Sequence, residues 1–243
     1  MSPFPQVSKD AYNTWHERYE VDRTADTPWH RLVLAHLDPH RDLNGKKILE
    51  IACGRGGFAT KLAGLSGPSS TFVAADFSSS AVRKGKAFAE EQPSRDRLHW
   101  IVGDAQALAH RDGSFDTVIS CETIEHLPDP RAALREFARV LKPGGRLLLT
   151  TPNYMGPMGL YRGYARVRGR PFTEEGQPIN NFVLLPRTVR WVRAAGLTVV
   201  AVDATGHYLP WFGRQPVEMP ALGRISPLRW MALHSMVLAE KRR

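Results

Sequence analysis

The chain has 243 residues, of which 42% are hydrophobic and 23% are charged, and its net charge is +9. This length and composition predict one sizeable globular α/β domain and argue against wholesale disorder. No apolar run has the length of a membrane span, and the N-terminal residues lack the pattern of a secretion signal. The only two cysteines, Cys53 and Cys121, form neither a disulfide framework nor a zinc set, so a reducing cytoplasm is the expected setting.

The positive charge lies in the second half of the chain. Residues 1–130 hold 15 Lys and Arg against 18 Asp and Glu, whereas residues 131–243 hold 18 against 6. Basic surfaces bind nucleic acid, phosphorylated ligands or anionic membranes, or serve only as a solvated face. Charge alone therefore leaves the partner open.

Short apolar segments alternate with helical patterns along most of the chain. Two helices are expected within residues 8–38, with a break at Thr27-Pro28. Strands are expected at 46–51, 71–75, 98–102, 115–120, 146–150, 197–203 and 233–240, and further helices at 57–64, 79–91, 130–141 and 186–195. The alternation predicts right-handed βαβ units and a mainly parallel sheet with helices on both faces. Irregular connections are expected at 152–185 and 204–231.

A glycine-rich turn joins the first strand to the following helix. Gly54 and Gly56 allow a ligand to approach the backbone, and the helix N-terminus offers unpaired N–H groups. With Ala59, this spacing also fits a dinucleotide-binding fingerprint. Glu50, just before the turn, would repel a pyrophosphate and favours a cationic ligand instead.

Two more carboxylates follow the next two strands. Asp76 ends the second strand, where it can accept hydrogen bonds from ribose hydroxyls, and Asp104 follows the third, where it can accept from an adenine amino group. Ligands of open α/β sheets bind at the carboxyl ends of the strands. The three acidic residues therefore predict a site for a positively charged nucleoside cofactor.

Five motifs stand in a fixed order within residues 46–153. They are Leu49-Glu50-Ile51-Ala52-Cys53-Gly54-Arg55-Gly56-Gly57, Asp76-Phe77-Ser78, Gly103-Asp104-Ala105, Phe115-Asp116-Thr117-Val118-Ile119-Ser120 and Leu141-Lys142-Pro143-Gly144-Gly145. The ordered set resembles the class I S-adenosylmethionine-dependent methyltransferases, in particular the branch similar to ubiquinone and menaquinone biosynthesis enzymes.

The resemblance implies a Rossmann-like α/β fold with a seven-stranded sheet of order 3-2-1-4-5-7-6, in which strand 7 is antiparallel. It also implies a single methyltransferase domain over residues 1–243. Its parts would be an N-terminal helical lid (1–45), a cofactor-binding core (46–153) and two acceptor-side insertions (154–185 and 204–231).

The resemblance further implies that S-adenosyl-L-methionine is the cofactor and S-adenosyl-L-homocysteine the product. The expected cofactor contacts are Glu50 and the Ala52, Gly54 and Gly56 turn at the methionine part, Asp76 at the ribose, Phe77, Asp104 and Ala105 at the adenine, and Cys121 and the N-terminal Tyr19 beside the methionine. Ala52 departs from the family pattern, which has glycine there, so we expect an adjusted turn with binding retained.

His126 is the candidate catalytic base, because it follows the fourth strand and an imidazole can remove a proton near neutral pH. A structural role in the loop is the alternative. Glu122, Glu125 and His126 are also similar to the metal ligands of small-RNA 2′-O-methyltransferases. Residues 179–182 lack the further histidine of that site, so no metal is expected.

The expected acceptor contacts lie in the two insertions. They are Tyr161, Tyr164, Arg166, Arg168 and Trp211, a mixture of arginine and aromatic side chains that favours an acceptor with an apolar body and an anionic or polar group. His30 is a weaker candidate. A solvated basic loop and aromatic packing on the sheet are the alternatives.

The sequence therefore predicts methyl transfer to a small molecule, with O-, N- and C-methylation all open. The main alternative is an RNA methyltransferase that uses the basic C-terminal half. We expect no nucleic-acid partner, because no RNA-binding module and no base-methylation motif is visible. An NAD(P)-dependent oxidoreductase and a non-catalytic scaffold are the remaining alternatives. Peripheral membrane contact stays open.

Overall fold

The computed structural model describes residues 6–170, 177–209, 217–219, 222 and 225–242. The main sheet consists of β1 (Lys47–Ile51), β2 (Thr71–Asp76), β3 (Leu98–Val102), β4 (Phe115–Ser120), β5 (Leu141–Pro152), β6 (Leu197–Thr205) and β7 (His234–Lys241). The helices are α1 (Gln6–Glu17), α2 (Pro28–His36), α3 (Gly57–Leu65), α4 (Ser79–Glu90), α5 (Pro130–Val140), α6 (Pro157–Val167), α7 (Leu185–Ala194) and the short α8 (Ser226–Arg229). A separate two-stranded ribbon pairs Tyr208–Leu209 with Val217–Glu218.

The sheet has the predicted topology. Its order is β3-β2-β1-β4-β5-β7-β6. Strands β1 to β5 are parallel, and β7 runs antiparallel between β5 and β6. The carboxyl ends of β1 to β4 therefore meet along one edge, and the acidic residues predicted to bind the cofactor lie there.

Strand β1 is buried on both faces. Leu49 and Ile51 pack in one cluster with Phe137 of α5, whereas Ile48 packs in the other cluster with Phe58 of α3. Successive side chains of a strand point to opposite faces, so this alternation places one helical layer on each side. Helix α5 begins as predicted, because the Asp129 carboxylate accepts hydrogen bonds from the first-turn N–H groups and Pro130 follows it.

The first connection predicted to be irregular contains a helix. Residues 157–167 form α6, which the sequence pattern conceals because Gly159 and Gly163 lower helix propensity. Gly159 meets a packing requirement, since a Cβ there would lie 1.9 Å from the Tyr154 carbonyl oxygen. The second connection contains the short ribbon and α8.

Two further boundaries differ from expectation. Helices α1 and α2 are separated by residues 18–27 rather than by a simple break at Thr27-Pro28, and the Thr27 side chain caps α2. Strand β5 begins at Leu141, so residues 142–145 continue as strand, with a register irregularity against β4. Within the described ranges, no helix is long and apolar enough to cross a bilayer.

Candidate active site

A cavity of about 660 Å³ opens at the carboxyl ends of β1 to β4. This volume falls within the usual range for small-molecule sites, roughly 300–1,000 Å³. Nine of the ten predicted cofactor residues line it: Glu50, Ala52, Gly54, Gly56, Asp76, Phe77, Asp104, Ala105 and Cys121. The fold thus brings together residues that are far apart in the chain.

The turn after β1 has the backbone that its glycines predict. Gly54 and Gly56 have φ values of +52° and +73°, and Gly56 precedes the first turn of α3. A Cβ on Gly56 would lie 2.1 Å from the Trp100 ring, so only glycine fits there without a shift. Ala52 also has a positive φ, +56°, which explains why glycine is the commoner residue at its position.

Asp76 holds the turn against the end of β2. Its Oδ2 accepts a hydrogen bond from the Gly54 N–H at 2.8 Å, and its Oδ1 accepts one from the Ser78 N–H at 2.8 Å. A carboxylate oxygen can accept more than one hydrogen bond, so both oxygens retain capacity toward the cavity. The carboxylate is therefore fixed in position before any ribose binds.

Glu50 is a buried carboxyl group on the cavity wall. It is 3% exposed, and its Oε2 has no hydrogen-bond partner in the described part of the chain. Burial, with a smaller contribution from the Asp76 charge, raises the pKa of Glu50 to about 8. An unsatisfied buried oxygen beside a ligand cavity fits a ligand that carries an ammonium group.

Asp104 and Ala105 line the cavity together with Phe77. The Asp104 Oδ1 accepts hydrogen bonds from the Gln106 backbone N–H at 2.8 Å and from its side-chain amide at 3.3 Å. Gln106 in turn accepts from the Asp129 N–H at 2.8 Å, which joins this turn to the start of α5. The Asp104 carboxylate is therefore held in position by the protein itself.

The N-terminal helix α1 borders the cavity. Tyr12, Trp15 and His16 line it, whereas Tyr19 does not. The Tyr19 ring packs on Trp15 at 4.8 Å, and the Arg55 guanidinium lies 5.6 Å from its centre. Tyr19 therefore stands behind a lining residue, and its contact with the cofactor stays a prediction.

His16 connects α1 to Asp76 and to the turn after β1. Its Nε2 lies 4.0 Å from the Asp76 carboxylate, and its Nδ1 lies 3.2 Å from the Arg55 guanidinium. Burial lowers the pKa of His16, and the Asp76 charge acts in the opposite direction. Since an arginine can only donate, Nδ1 accepts, and the ring proton of neutral His16 points to Asp76.

His126 lies on the cavity wall in a short 3₁₀ turn, Ile124–His126. Its Nδ1 donates to the Ile179 carbonyl at 2.7 Å, and its Nε2 is 3.7 Å from the Glu125 Oε1. The Tyr12 hydroxyl donates to the His126 carbonyl at 3.4 Å. Among the residues that the structure describes, no group of three or more His, Cys, Asp and Glu side chains could hold a metal ion.

Cys121 lines the cavity with Cys53, and both thiols are free. Burial raises the pKa of each well above its ordinary value, with further contributions from nearby carboxylates. These thiols are therefore neutral, weakly polar parts of the wall at neutral pH.

The acceptor residues predicted on α6 do not line the cavity. Tyr161, Tyr164, Arg166 and Arg168 are exposed on the solvent side of the helix or just beyond it. Their predicted role as direct contacts is not supported by this placement, and Trp211 lies outside the described residues, as do Phe212 and Arg214.

A further part of the cavity lining is here called the far wall. Its residues are Thr27, Trp29, His30, Pro152, Tyr154, Met158, Gln177, Leu233 and His234. His30 stacks on Phe58 at 4.3 Å, and burial lowers its pKa to about 4, so this ring is neutral at pH 7. The sequence analysis did not predict Trp29 and His234 as cavity residues. Their only signal was their position, because Trp29 stands at the start of a helix and His234 at the start of a strand.

Comparison with known proteins identifies the family. Residues 49–149 match the family model described as a methyltransferase domain. A ubiquinone biosynthesis O-methyltransferase of Xanthomonas oryzae pv. oryzae (strain PXO99A) is 31% identical over 217 residues, which cover 87% of this chain and 88% of that enzyme. A demethylmenaquinone methyltransferase of Lactococcus lactis is 35% identical over 126 residues, and this match spans only 49% of the chain and 50% of that enzyme.

A solved structure agrees on the fold. The SAM-dependent methyltransferase from Aquifex aeolicus superposes with a TM-score of 0.63 at 13% identity, covering 94% of this chain and 97% of that one. At this identity the likeness shows the fold, whereas the family match and the Xanthomonas relative show the class. The chain belongs to the S-adenosylmethionine-dependent methyltransferases.

Proposed function

We propose that this methyltransferase acts on a small molecule that has an apolar body and a polar or anionic group. The observation that carries the proposal is that different elements bring residues of different chemistry to the cavity. The carboxyl groups of Glu50, Asp76 and Asp104 come from the ends of β1, β2 and β3, here called the first wall, whereas Trp29, Tyr154 and Met158 come from α2 and from the segment between β5 and the end of α6, here called the second wall. The first suits the cofactor and the second an apolar acceptor.

The residues of the first wall fit S-adenosylmethionine. Glu50 and the turn at Ala52, Gly54 and Gly56 would hold the methionine part, with the buried Glu50 oxygen satisfied by the ammonium group. Asp76 would accept from the ribose hydroxyls. Phe77 and Asp104 would flank and read the adenine, together with Ala105, and Cys121 would lie beside the methionine. When bound, the cofactor supplies an electrophilic methyl group on a sulfonium.

The protein then contributes alignment, exclusion of water and, for a hydroxyl acceptor, a base. His126, the base that the sequence predicts, lies on the cavity wall. His126→Ala tests that prediction, because loss of a base would lower turnover by about 10²-fold or more while cofactor affinity is kept. Unchanged turnover would leave His126 a structural role in the turn that it shares with Ile179.

The relatives suggest which acceptors to test first. The Xanthomonas enzyme is named for O-methylation in ubiquinone biosynthesis, and the Lactococcus enzyme for methylation of demethylmenaquinone. A quinone-like or phenolic ring with an apolar tail would suit the wall of Trp29, Tyr154 and Met158.

Labelled cofactor offered with polyprenylated phenols and quinols, with small polar metabolites and with RNA tests the proposal. Transfer to the apolar phenols supports it, whereas transfer to RNA alone would establish the alternative. Met158→Ala should raise the acceptor KM without changing the affinity for S-adenosylhomocysteine. Arg166→Ala with Arg168→Ala leaves the wall intact, so it should change KM only at low salt, because exposed charges are screened over about 8–10 Å at physiological ionic strength.

Peripheral membrane contact is part of this proposal. Leu160, Tyr164 and Val167 of α6 are exposed by 78%, 53% and 86%, and Met158 of the same helix lines the cavity. A bilayer that holds an apolar acceptor could meet this helix. Co-sedimentation with anionic vesicles tests the contact, and the Leu160→Ser, Val167→Ser variant should lose binding if it exists.

A further inference from the structure

We propose that His234, oriented by Glu122, removes the proton of an acceptor hydroxyl and so directs this enzyme to O-methylation. The inference rests on the proposed function, since it assumes a small-molecule acceptor bound against the far wall.

The two side chains come together from positions 112 residues apart in the chain. Glu122 follows β4, and His234 is the first residue of β7, which is separated from β4 by β5. The His234 Nδ1 lies 3.3 Å from the Glu122 Oε2, and both residues line the cavity. Their side chains are only 11% and 17% exposed, so the pair is largely shielded from bulk water.

The backbone at Glu122 is strained in a way that aims its carboxylate. Its φ is +46°, a left-handed conformation that a non-glycine residue rarely adopts. Its N–H donates to the Thr150 carbonyl at 3.1 Å and lies 3.2 Å from the Thr150 hydroxyl, which hold the strained residue against β5. Its second oxygen, Oε1, is buried without a hydrogen-bond partner among the described residues. Such strain persists where the surrounding structure enforces it, and it is common at functional sites.

The His234 ring is packed on its other sides. The Trp29 ring lies 5.0 Å away and the Tyr208 ring 6.2 Å, and a Cβ on Gly206 would meet the Cδ2 edge at 2.9 Å. Because a carboxylate accepts hydrogen bonds, Glu122 holds the ring proton on Nδ1 and leaves the lone pair on Nε2. Across the described ranges, no hydrogen bond engages this Nε2.

His126 is less suited to the same role. Its Nδ1 is committed to the Ile179 carbonyl, and its Nε2 faces the Glu125 carboxylate, so both nitrogens already point to protein acceptors. His30, the remaining histidine on this wall, is bound through Nδ1 to the Thr27 hydroxyl at 2.8 Å and stacked on Phe58. Of these three histidines, only His234 has one ring nitrogen bonded to a carboxylate and a second nitrogen that makes no hydrogen bond within the described residues.

The chemistry balances without any further reactant. The acceptor O–H bond breaks and its proton passes to the His234 Nε2, while the oxygen electron pair forms the new O–CH₃ bond. The carbon–sulfur bond breaks, and its electron pair returns to sulfur. The imidazolium formed next to Glu122 is stabilised by that carboxylate and later releases its proton to water.

Single-turnover methylation of a polyprenylated catechol separates His234 from its competitors. His234→Gln should lower the rate by about 10²-fold or more and Glu122→Gln by about tenfold or more, with S-adenosylhomocysteine affinity unchanged in both. His36→Gln is the matched control, because His36 pairs with Asp203 at 2.7 Å outside the cavity wall, and it should leave the rate unchanged. Added imidazole should partly restore His234→Ala.

The pH profile provides an independent readout. The groups against the His234 ring are Glu122 from the β4 loop, Trp29 from α2 and Tyr208 from the ribbon, and His30 lies next to Trp29. The His234→Gln rate should rise with hydroxide concentration over the range in which the wild-type rate is level, because the acceptor must then lose its proton to water. A profile of unchanged shape, or a full rate in His234→Gln with a loss in His126→Gln, would overturn the inference.

Nitrogen NMR of the histidine rings tests the geometry without turnover. In the wild type with S-adenosylhomocysteine, neutral His234 should carry its proton on Nδ1, and Glu122→Gln should weaken that preference. A proton on Nε2 in the wild type would overturn the proposal even if His234 variants fail to fold.

The outcomes also separate this inference from the proposed function. If the wild type binds S-adenosylhomocysteine but methylates only carbon, nitrogen or RNA, the proposed hydroxyl chemistry fails. If the wild type methylates the catechol and His234→Gln does so equally fast, only this inference fails.

Discussion

Replacing Glu50 with glutamine is expected to stabilise the ligand-free protein at alkaline pH and to weaken cofactor binding. Glu50 is buried, one of its oxygens has no hydrogen-bond partner in the described part of the chain, and burial with the Asp76 charge raises its pKa to about 8. The ordinary glutamate value is 4.5. The folded protein therefore retains a proton that the unfolded chain releases at much lower pH.

The sign and size of the effect follow from proton linkage. Between about pH 4.5 and 8, the folded state binds more protons than the unfolded state, so the free energy of unfolding falls as pH rises through this window and levels off above it. At about 1.4 kcal/mol per pKa unit, the full loss is up to about 5 kcal/mol, less where water in the cavity solvates the charge. Glutamine cannot ionise, so Glu50→Gln lacks this loss.

Urea unfolding of the wild type and Glu50→Gln at about pH 5, 7 and 9 measures the difference. Glu90→Gln, on the exposed surface of α4, is the control and should behave like the wild type. Calorimetry should show S-adenosylhomocysteine binding to Glu50→Gln at least about tenfold more weakly, because the ammonium group loses a charged partner. Parallel stability curves for the wild type and Glu50→Gln would show that Glu50 is already ionised in the folded protein and would refute the reasoning.

Three further outcomes are expected. Asp76→Ala should weaken S-adenosylhomocysteine binding about tenfold or more by calorimetry, since it leaves buried donors and the ribose unpaired, and a folded variant with unchanged affinity would contradict this. Ala52→Gly should raise the free energy of unfolding by up to about 1 kcal/mol, because φ at Ala52 is +56°. The control Ala63→Gly, within α3, should lower the free energy of unfolding by about as much. A change of the same sign in both variants would exclude backbone strain at Ala52. Methyl transfer should persist in EDTA, and a loss that magnesium reverses would establish a metal requirement.

The cofactor end of the site could be predicted because its determinants are local. Glu50, Asp76 and Asp104 each stand at or just after the end of a strand, and the polarity of a parallel sheet brings such positions to one edge. The ordered motifs that contain these residues carried the resemblance to the family, and that resemblance implied the sheet topology. The departure at Ala52 did not change the turn. Its backbone keeps a left-handed φ of +56°, which is a strained conformation for a residue that has a Cβ.

The acceptor end depended on tertiary structure. Trp29, Met158 and His234 come from α2, α6 and β7, elements that no sequence spacing relates and that only their packing around the sheet edge brings together. The same packing left Tyr161 and Tyr164 of α6 exposed, although their residue types had favoured a binding role, because a helix directs side chains to faces that only its neighbours define. The sequence by itself thus determined the fold, the family and the chemistry proposed for the cofactor end, whereas the wall proposed to meet the acceptor was decided by long-range contacts between its helices and the antiparallel last strand.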